Sequence, residues 1–421
     1  MFLYFQKIVV SSTTSLFSIK YFQMKKNNFH IALSITALIT FSAISFEVSV
    51  AQVKDTLSKT NESNNLLEMG LEDLLDIKVI TGEKGGFGKQ LEELQFNTYL
   101  HGYAAGWFRS NDLNRRKKSK TYSLQYFNPI LGVNVHDKVV AEVMLEYEHG
   151  GGEMGIRYGI IDYSPFKFVT LRIGKFLMPI GKFNEYYYPE YINLLNDRPI
   201  SHWQIIPSVW SEIGAQLRGN FSLTKKVLVN YSLFVVNGLE QKDGKYGSDI
   251  RNMRDNFRDY NNDKKSFGGR IGILPVAIIE TGVSYYYGTY STDGKENLSL
   301  VCIDAECKTS KFTFRGEYVD AIEDTASGSI NKNGFFIESA YRLNLYLEPV
   351  VRYDQANLPN VTGFDKIKNT ETIQRMTTGL IIFPEPKKVS RFSFKINYSI
   401  VLNDGNGSSA NEFILQCAIG F

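Results

Sequence analysis

Few residues in this 421-residue chain are of the types that most often do enzymatic chemistry. Histidines number only five, and one of them, His30, lies close to the N-terminus. There is no G-x-S-x-G, H-E-x-x-H or Walker-type phosphate loop, and the acidic segment 255–263 lacks the glutamate-terminated spacing of a calcium loop. We therefore expect no catalytic site, no metal and no cofactor, since no nucleophile motif accompanies the other histidines, His101, His136, His149 and His202.

Charged side chains instead recur at every second position within stretches that are otherwise apolar. In 138–149, for example, Glu142 and Glu146 alternate with Val143 and Leu145. Side chains of a strand alternate between its two faces, so these stretches predict one apolar and one charged face. The charged face must be wet, and the simplest role for its charges is a cross-strand mesh of ion pairs. The functional alternative is a transverse field that aligns polar solutes. The predicted interior charges are Glu142, Glu146, Arg172, Glu212, Arg218, Arg270, Arg315, Glu317 and Arg352.

The alternation repeats in segments of about 10–15 residues, which predicts an all-β chain folded as a transmembrane antiparallel β-barrel. We count sixteen strands from 94–109 to 411–421. The count is fourteen strands if 298–306 and 310–320 are left out, and eighteen strands is the other alternative. Tight turns alternate with long polar connections, as expected when short turns lie at the periplasmic rim. The predicted long connections are 110–120, 178–209, 239–264, 321–331 and 356–370.

The first 51 residues have the form of a leader. Translation is predicted to start at Met24, because a basic start and an uncharged run over 31–46 are followed by small residues ending at Ala51, as in a cleaved signal peptide. Residues 52–90 form an N-terminal extension, either periplasmic or plug-like, with a short amphipathic helix over 66–77. The barrel is assigned to 91–421. No later run is long and apolar enough for a spanning helix.

The last strand is predicted to close the barrel against the first. Phe413, Leu415, Cys417, Ile419 and Phe421 form one apolar face of 411–421. The strand resembles the closing strand of outer-membrane barrels, and this resemblance implies that Phe421 acts as an assembly signal, with the barrel-assembly machinery and outer-membrane lipid as partners. Two further cysteines, Cys302 and Cys307, are close enough in sequence that pairing is an open question.

The connection 178–209 is the candidate constriction. It contains four prolines and several aromatic residues, so it is too apolar for a disordered segment. A loop of this length in a compact fold is usually functional, and we expect it to fold into the barrel; a lid over the outer mouth is the alternative. The candidate solute-contacting residues in and beside it are Lys175, Lys182, Glu185, Tyr187, Arg198, His202 and Trp203.

Several motifs resemble the phosphate-selective porin O/P family. The matching stretches are V-T-L-R-I-G-K-F-L-M-P-I-G-K-F (169–183), N-D-R-P (196–199) and W-S-E-I-G-A-Q-L-R-G (210–219). The resemblance implies a sixteen-stranded outer-membrane porin, expected to be a homotrimer, in a Gram-negative bacterium. In addition, L-E-D-L-L-D-I-K-V-I-T (71–81) resembles the segment that precedes the plug of TonB-dependent receptors.

The predicted function is passive diffusion of small polar or anionic solutes through a water-filled channel narrowed by 178–209. Without the leader, the 47 basic and 44 acidic residues of the chain fall to 43 of each. This neutrality argues against a nucleic-acid partner and predicts weak ion selectivity, whereas phosphate selectivity would need a cluster of pore-facing Arg and Lys. The alternative is a non-conducting outer-membrane barrel that acts as an adhesin, scaffold or surface enzyme.

Overall fold

The computed structural model describes residues 97–111, 119–240, 250–254, 264–291, 293–325, 328–361, 367–387, 391–404 and 410–421. Most of these residues are in β-strands. The predicted leader, its cleavage site and the helix over 66–77 lie outside the described residues. Among the residues described, no helix combines the length and apolarity needed to cross a bilayer.

All sixteen predicted strands are present, which confirms the strand count. The strands are longer than the average strand, and apolar and polar side chains alternate regularly along most of them. A period of two residues was therefore sufficient to find them. Their bounds are β1 Asn97–Asn111, β2 Ser119–His136, β3 Val139–Glu148, β4 Glu153–Phe166, β5 Val169–Leu177, β6 Ser211–Ser222, β7 Leu228–Val236, β8 Ser266–Val276, β9 Ile279–Thr289, β10 Asn297–Lys308, β11 Phe312–Thr325, β12 Gly328–Tyr341, β13 Leu347–Val361, β14 Ile367–Ile382, β15 Phe392–Asp404 and β16 Ala410–Gly420.

The sheet is a closed antiparallel barrel in which every strand pairs with its neighbours in the chain. β16 pairs with β1 in a register that runs from Tyr103↔Gly420 to Asn111↔Glu412, as predicted. Beyond β16, Phe421 and Gly102 exchange two backbone hydrogen bonds of 2.8 Å. Because the ring of strands is complete, no strand edge is left unpaired.

The connections differ in length between the two rims. At one rim, tight turns such as 137–138 and 277–278 join the strands; the other rim carries the long connections 178–210 and 237–265. The prediction of a long connection over 321–331 is wrong. There β11 and β12 continue their pairing to Thr325↔Gly328. The alternation of side chains continues into a segment whose polar composition had indicated a loop.

The two faces of the barrel differ in chemistry. On β16, Phe413 and Leu415 are exposed on the outside, whereas Glu412 and Gln416 are buried inside. β10 follows the same rule, with Val301 exposed outside and Cys302, one position on, fully buried inside. Cys307 shares the outward face with Val301, so Cys302 and Cys307 point to opposite sides of the wall. Both thiols are free, which answers the pairing question.

Candidate functional site

The connection between β5 and β6 folds into the barrel, as predicted, rather than over its mouth. Its two ends are tied together, because the Met178 amide donates to the Trp210 carbonyl at 3.0 Å. The Asn184 amide nitrogen lies 2.9 Å from each of these two residues' carbonyl oxygens. Residues 178–210 are called the inward loop below. Its helical pieces are one wide turn, Phe183–Tyr187, and the short helix α1, Ser201–Gln204.

The first turn of the inward loop is anchored on β9 and β10. Lys182 Nζ lies 2.6 Å from a Glu280 oxygen and 2.9 Å from a Glu306 oxygen. Burial acts to lower the pKa of Lys182, but the two carboxylates outweigh it and raise that pKa above its ordinary value. The Gly181 amide donates to Ser284 Oγ at 3.0 Å. Lys182 therefore acts as a buried counter-ion rather than a free pore charge.

His202 and Glu317 form a second anchor, on β11. Glu317 accepts hydrogen bonds from the Phe183 amide at 2.6 Å and pairs with His202 Nε2 at 2.8 Å. The imidazole is 0% exposed and its ring lies 5.5 Å from that of Phe336. Ser201 Oγ is 3.2 Å from the other imidazole nitrogen. A hydroxyl, an imidazole and a carboxylate are thus in line, but all three are buried, so the arrangement fastens the loop and offers no surface to a substrate.

Asp197, in the N-D-R-P motif, is the third anchor. Its carboxylate lies 2.7 Å from Arg109 on β1 and 3.6 Å from Arg375 on β14. Burial alone would raise the pKa of Asp197, but Arg109 and the other neighbouring groups hold it at about 2. Arg352 on β13 donates to the Asp197 carbonyl at 2.8 Å. One loop residue therefore ties three strands together.

Charged interior residues of β9–β13 form one row across the sheet, and the predicted interior charges Arg315 and Arg352 belong to it. The register joins Glu280, Glu306, Arg315, Glu338 and Arg352 as successive cross-strand partners. Arg315 pairs with Glu338 at 2.6 Å, and Glu338 lies 3.6 Å from Arg352. Arg315, Glu338 and Arg352 are buried. This is the ion-pair mesh of the simpler interpretation, covered by the inward loop over part of its length.

The other predicted interior charges are also paired. Arg270 makes bonds of 2.6 and 2.9 Å to Asp304, and Arg172 makes two of 2.7 Å to Asp162. Glu212 accepts from Trp210 Nε1 at 2.8 Å. 

The two predicted interior glutamates of β3, Glu142 and Glu146, are held by groups from neighbouring strands. Glu142 accepts from the hydroxyls of Tyr99 at 2.7 Å and Tyr158 at 2.6 Å. Glu146 pairs with Arg157. These carboxylates thus remain on the inner wall, each with a polar partner.

Two further candidate residues of the loop, Glu185 and Tyr187, contact different strands of the barrel. Glu185 lies 3.4 Å from Arg218 on β6. The Tyr187 ring is covered by Arg315, whose guanidinium carbon lies 4.2 Å from the ring centre. Since Tyr187 is buried, it is a packing residue in this arrangement.

Arg198 and Trp203 lie together elsewhere in the loop. Arg198 donates to the Ser208 carbonyl at 2.6 Å and to the Tyr126 hydroxyl at 3.0 Å. Its guanidinium is 5.8 Å from the ring centre of Trp203, which is 47% exposed. Trp203 is the candidate residue best placed to meet a solute.

The prediction that Lys175 lines the pore is wrong. On β5, Leu171 and Ile173 are exposed on the outer face, and Lys175 continues their alternation. Its Nζ donates to the Ile156 carbonyl at 2.7 Å. The alternation of side chains along β5 already indicated this orientation. Arg172 faces inward, and Lys175 lies an odd number of positions away and therefore on the opposite face.

Sequence reasoning did not select several residues that hold the loop. Arg109 and Asp354 belong to this group, with Asp354 accepting from the Ile200 amide at 2.8 Å. Both sit at inward positions of their strands, so alternation could have found them. Lys395 donates to the Glu190 and Asn193 carbonyls, and the sequence carried no signal for these two loop partners.

No family model matches the chain. An uncharacterized protein of Aquifex aeolicus (strain VF5) is 25% identical over 298 residues, a match that covers 62% of this chain. The matched region spans 66% of that relative's length, just under two thirds.

Solved structures share the fold. The anion-selective porin from Comamonas acidovorans matches with a TM-score of 0.55 at 9% identity, covering 77% of this chain and 100% of that one. The outer membrane channel DcaP of Acinetobacter baumannii matches at 0.54 and 12%, covering 77% and 97%. OmpT, an outer membrane protein of Vibrio cholerae, matches in its trimer form at 0.53 and 12%, covering 77% and 99%. At these identities the likeness shows a common barrel fold.

Proposed function

We propose that the protein is an outer-membrane porin, a water-filled channel through which small polar or anionic solutes diffuse passively. The observation that carries this proposal is the inversion of the barrel, which is apolar outside and charged inside, with a long loop folded into its lumen. A soluble barrel would bury apolar side chains inside and present charge to water. A lumen with this many ionised groups needs water, which a channel supplies.

The outer face supports a position in the outer membrane. Aromatic pairs flank the short-turn rim on the outside, with ring centres 5.6 Å apart for Phe166 and Phe168 and 6.4 Å apart for Phe312 and Phe314. Aromatic girdles of this kind lie at the interfaces of membrane barrels. The proposal includes outer-membrane lipid and the barrel-assembly machinery as partners, and assembly as a homotrimer, the form recorded for the Vibrio cholerae relative in fold.

The charges of the lumen support weak ion selectivity. Arg172, Arg270 and Arg315 each have a carboxylate partner within 2.7 Å, so little net positive charge faces the pore. The resemblance to phosphate-selective porins and the anion-selective relative in fold both favour anions, whereas the paired arginines favour a general pore. We propose small polar solutes as the main class, with anions passing as part of it.

Single-channel recording of the refolded mature protein tests the proposal. Stepwise currents in KCl are expected, with a reversal potential near zero in a KCl gradient because the lumenal charges are balanced. Absence of any current would contradict the porin function and favour a non-conducting adhesin, scaffold or surface enzyme. Strong anion preference with block by phosphate would contradict only the weak selectivity.

A further inference from the structure

Trp203 is the most exposed side chain of the inward loop. Of residues 178–210, all of which the structure describes, two are exposed: Ile192 at 36% and Trp203 at 47%. The residue before Trp203 in the chain shows the contrast, because His202 is fully buried against Glu317. Water therefore reaches the Trp203 ring, whereas it is excluded from the anchor beside it.

The Trp203 ring lies inside the barrel. Its neighbour Arg198 has its backbone held at β14, where Arg375 donates to the Arg198 carbonyl at 2.6 Å. The Arg198 guanidinium reaches the Tyr126 hydroxyl on β2 at 3.0 Å, and the pairing of β2 with β1 continues beyond Tyr126 to Ser119. Since the guanidinium carbon is 5.8 Å from the centre of the Trp203 ring, the water that reaches this ring is water of the lumen.

Arg198 brings a positive charge to the side of this ring. It is partly exposed, and its two hydrogen bonds go to neutral oxygens, those of the Ser208 carbonyl and the Tyr126 hydroxyl. Burial acts to lower the pKa of Arg198, and nearby groups that include Glu148 and Glu190 raise it above its ordinary value. Neither carboxylate forms an ion pair with the guanidinium, so its charge is available to an anion in the lumen.

The indole and the guanidinium together define the chemistry of a solute that would bind here. An exposed indole offers a flat apolar surface on which another planar ring stacks, and a guanidinium binds carboxylates through charge-assisted hydrogen bonds. The 5.8 Å between them is the space of one ring with its carboxyl group, so one small solute can contact both. An aliphatic anion lacks the flat ring, and an uncharged ring lacks the carboxylate.

We propose that Trp203 and Arg198 form a binding subsite in the lumen for a small aromatic carboxylate. This inference rests on the proposed function and refines it, because it names a class of solute and the two loop residues that bind it. The subsite adds a preference for ring-bearing anions to a channel in which many interior arginines are paired with carboxylates.

Block of the single-channel current by benzoate tests the subsite. Benzoate added to the KCl bath is expected to interrupt the current of the parent protein. Trp203→Ala should raise the half-blocking concentration about tenfold, because a stacking contact contributes about that factor. Trp203→Phe should raise it less than about threefold, because a flat ring is kept. Acetate and benzyl alcohol, which each lack one of the two groups, should block far more weakly than benzoate.

Two further variants separate the subsite from the general structure of the loop. Ile192→Ala is the matched control, since Ile192 is the other exposed residue of the loop, and it should leave the block by benzoate unchanged. Arg198→Gln should weaken the block by benzoate but not the weaker block by benzyl alcohol, because only benzoate carries a charge. An equal loss for both compounds would show that Arg198 merely supports the loop and would overturn its role in the subsite.

Isothermal titration with benzoate makes the same comparison without a current, and heat-dependent gel migration shows for each variant that the barrel is folded. If the parent conducts but benzoate binds Trp203→Ala as tightly as the parent, or binds neither, the subsite is overturned and the porin function stands. If the parent passes no current yet binds benzoate about tenfold more tightly than Trp203→Ala does, the porin function is overturned and the subsite stands. Absence of both current and binding overturns both.

Discussion

Asp197 is the residue through which the inward loop meets three arginines of the barrel wall. Its carboxylate faces Arg109 and Arg375, and Glu412 lies 3.3 Å from the same Arg109. Two arginines and two carboxylates therefore share one region at the boundary of β1, β14 and β16. Removing one carboxylate leaves an arginine whose positive charge is less well balanced. The fold is then less stable, because little solvent reaches that charge.

We expect Asp197→Asn to lower the free energy of unfolding by about 2–3 kcal/mol, below the range for fully buried pairs because the side chain is 17% exposed. Urea denaturation of the refolded protein measures this difference. Asp293→Asn is the control, because the Asp293–Lys295 pair is exposed and such pairs contribute little. Equal effects of the two substitutions would contradict the anchoring role of Asp197.

Glu190 gives the inward loop a pH dependence. It accepts from Gln416 at 2.8 Å, and burial raises its pKa to about 7 although Lys395 and Gln416 act to lower it. A carboxyl group whose pKa is higher in the folded than in the unfolded state stabilises the fold at low pH. That contribution is lost as pH rises from the unfolded value of 4.5 through about 7.

We therefore expect the contribution of Glu190 to stability to decline between about pH 4.5 and 7, and Glu190→Gln to remove this part of the decline. Thermal unfolding followed at several pH values for both proteins provides the measurement. The same slope in the variant as in the parent would show that Glu190 does not titrate in this range.

At the scale of elements, the path from β5 into the inward loop depends on Gly181. Its φ of +68° is a conformation that other residues rarely adopt. A Cβ at this position would lie 2.1 Å from Glu317 Oε2 and 3.0 Å from Cys302 Sγ. The first turn of the loop and the His202–Glu317 anchor are thus coupled through a residue without a side chain.

Gly181→Ala is expected to displace the Glu317 carboxylate, loosen the loop and increase both the conductance and its fluctuations, while the barrel still assembles. Single-channel noise analysis and heat-dependent gel migration together check this outcome. Gly150→Ala is a suitable control: its φ of +71° is similar, but no atom lies within 4 Å of the added carbon. A quiet, unaltered channel in Gly181→Ala would contradict the coupling.

Strands and loop differed in how far the sequence could predict them. Strand positions follow from a local period of two, which is why even the pair β10 and β11 was found. The inward course of the loop also follows from its aromatic content. Its partners do not, because contacts such as Asp197–Arg109 and His202–Glu317 join residues 88 and 115 positions apart. Lys175 was misplaced because its position beside the loop was given more weight than the alternation of side chains along β5.

At the scale of the whole molecule, closure between β1 and β16 decides whether the barrel has an edge. Phe421 continues β16 by its two backbone bonds to Gly102, and its ring packs so closely that a Cβ on Gly102 would lie 2.7 Å from it. The ring centre is also 6.1 Å from that of Phe127. The terminal residue is therefore part of the seam as well as a proposed assembly signal.

We expect deletion of Phe421 to reduce the fraction of folded barrel in outer membranes severalfold, because the seam loses two backbone bonds and the terminal ring. The folded fraction is measured by heat-dependent gel migration of membrane extracts. Glu412→Gln should assemble at the parental level, since Glu412 lies inside the barrel. Normal assembly of the deletion variant would show that Phe421 is dispensable as a signal.

The most direct test of the central claim, that the barrel is a passive channel narrowed by its inward loop, is liposome swelling with neutral polar solutes of graded size. The account predicts fast uptake of the smallest solutes and a steep fall in rate with size, shifted to larger solutes in Gly181→Ala, in which the loop is loosened. Liposomes that contain folded protein yet admit no solute of any size, in the parent and in Gly181→Ala alike, would contradict it.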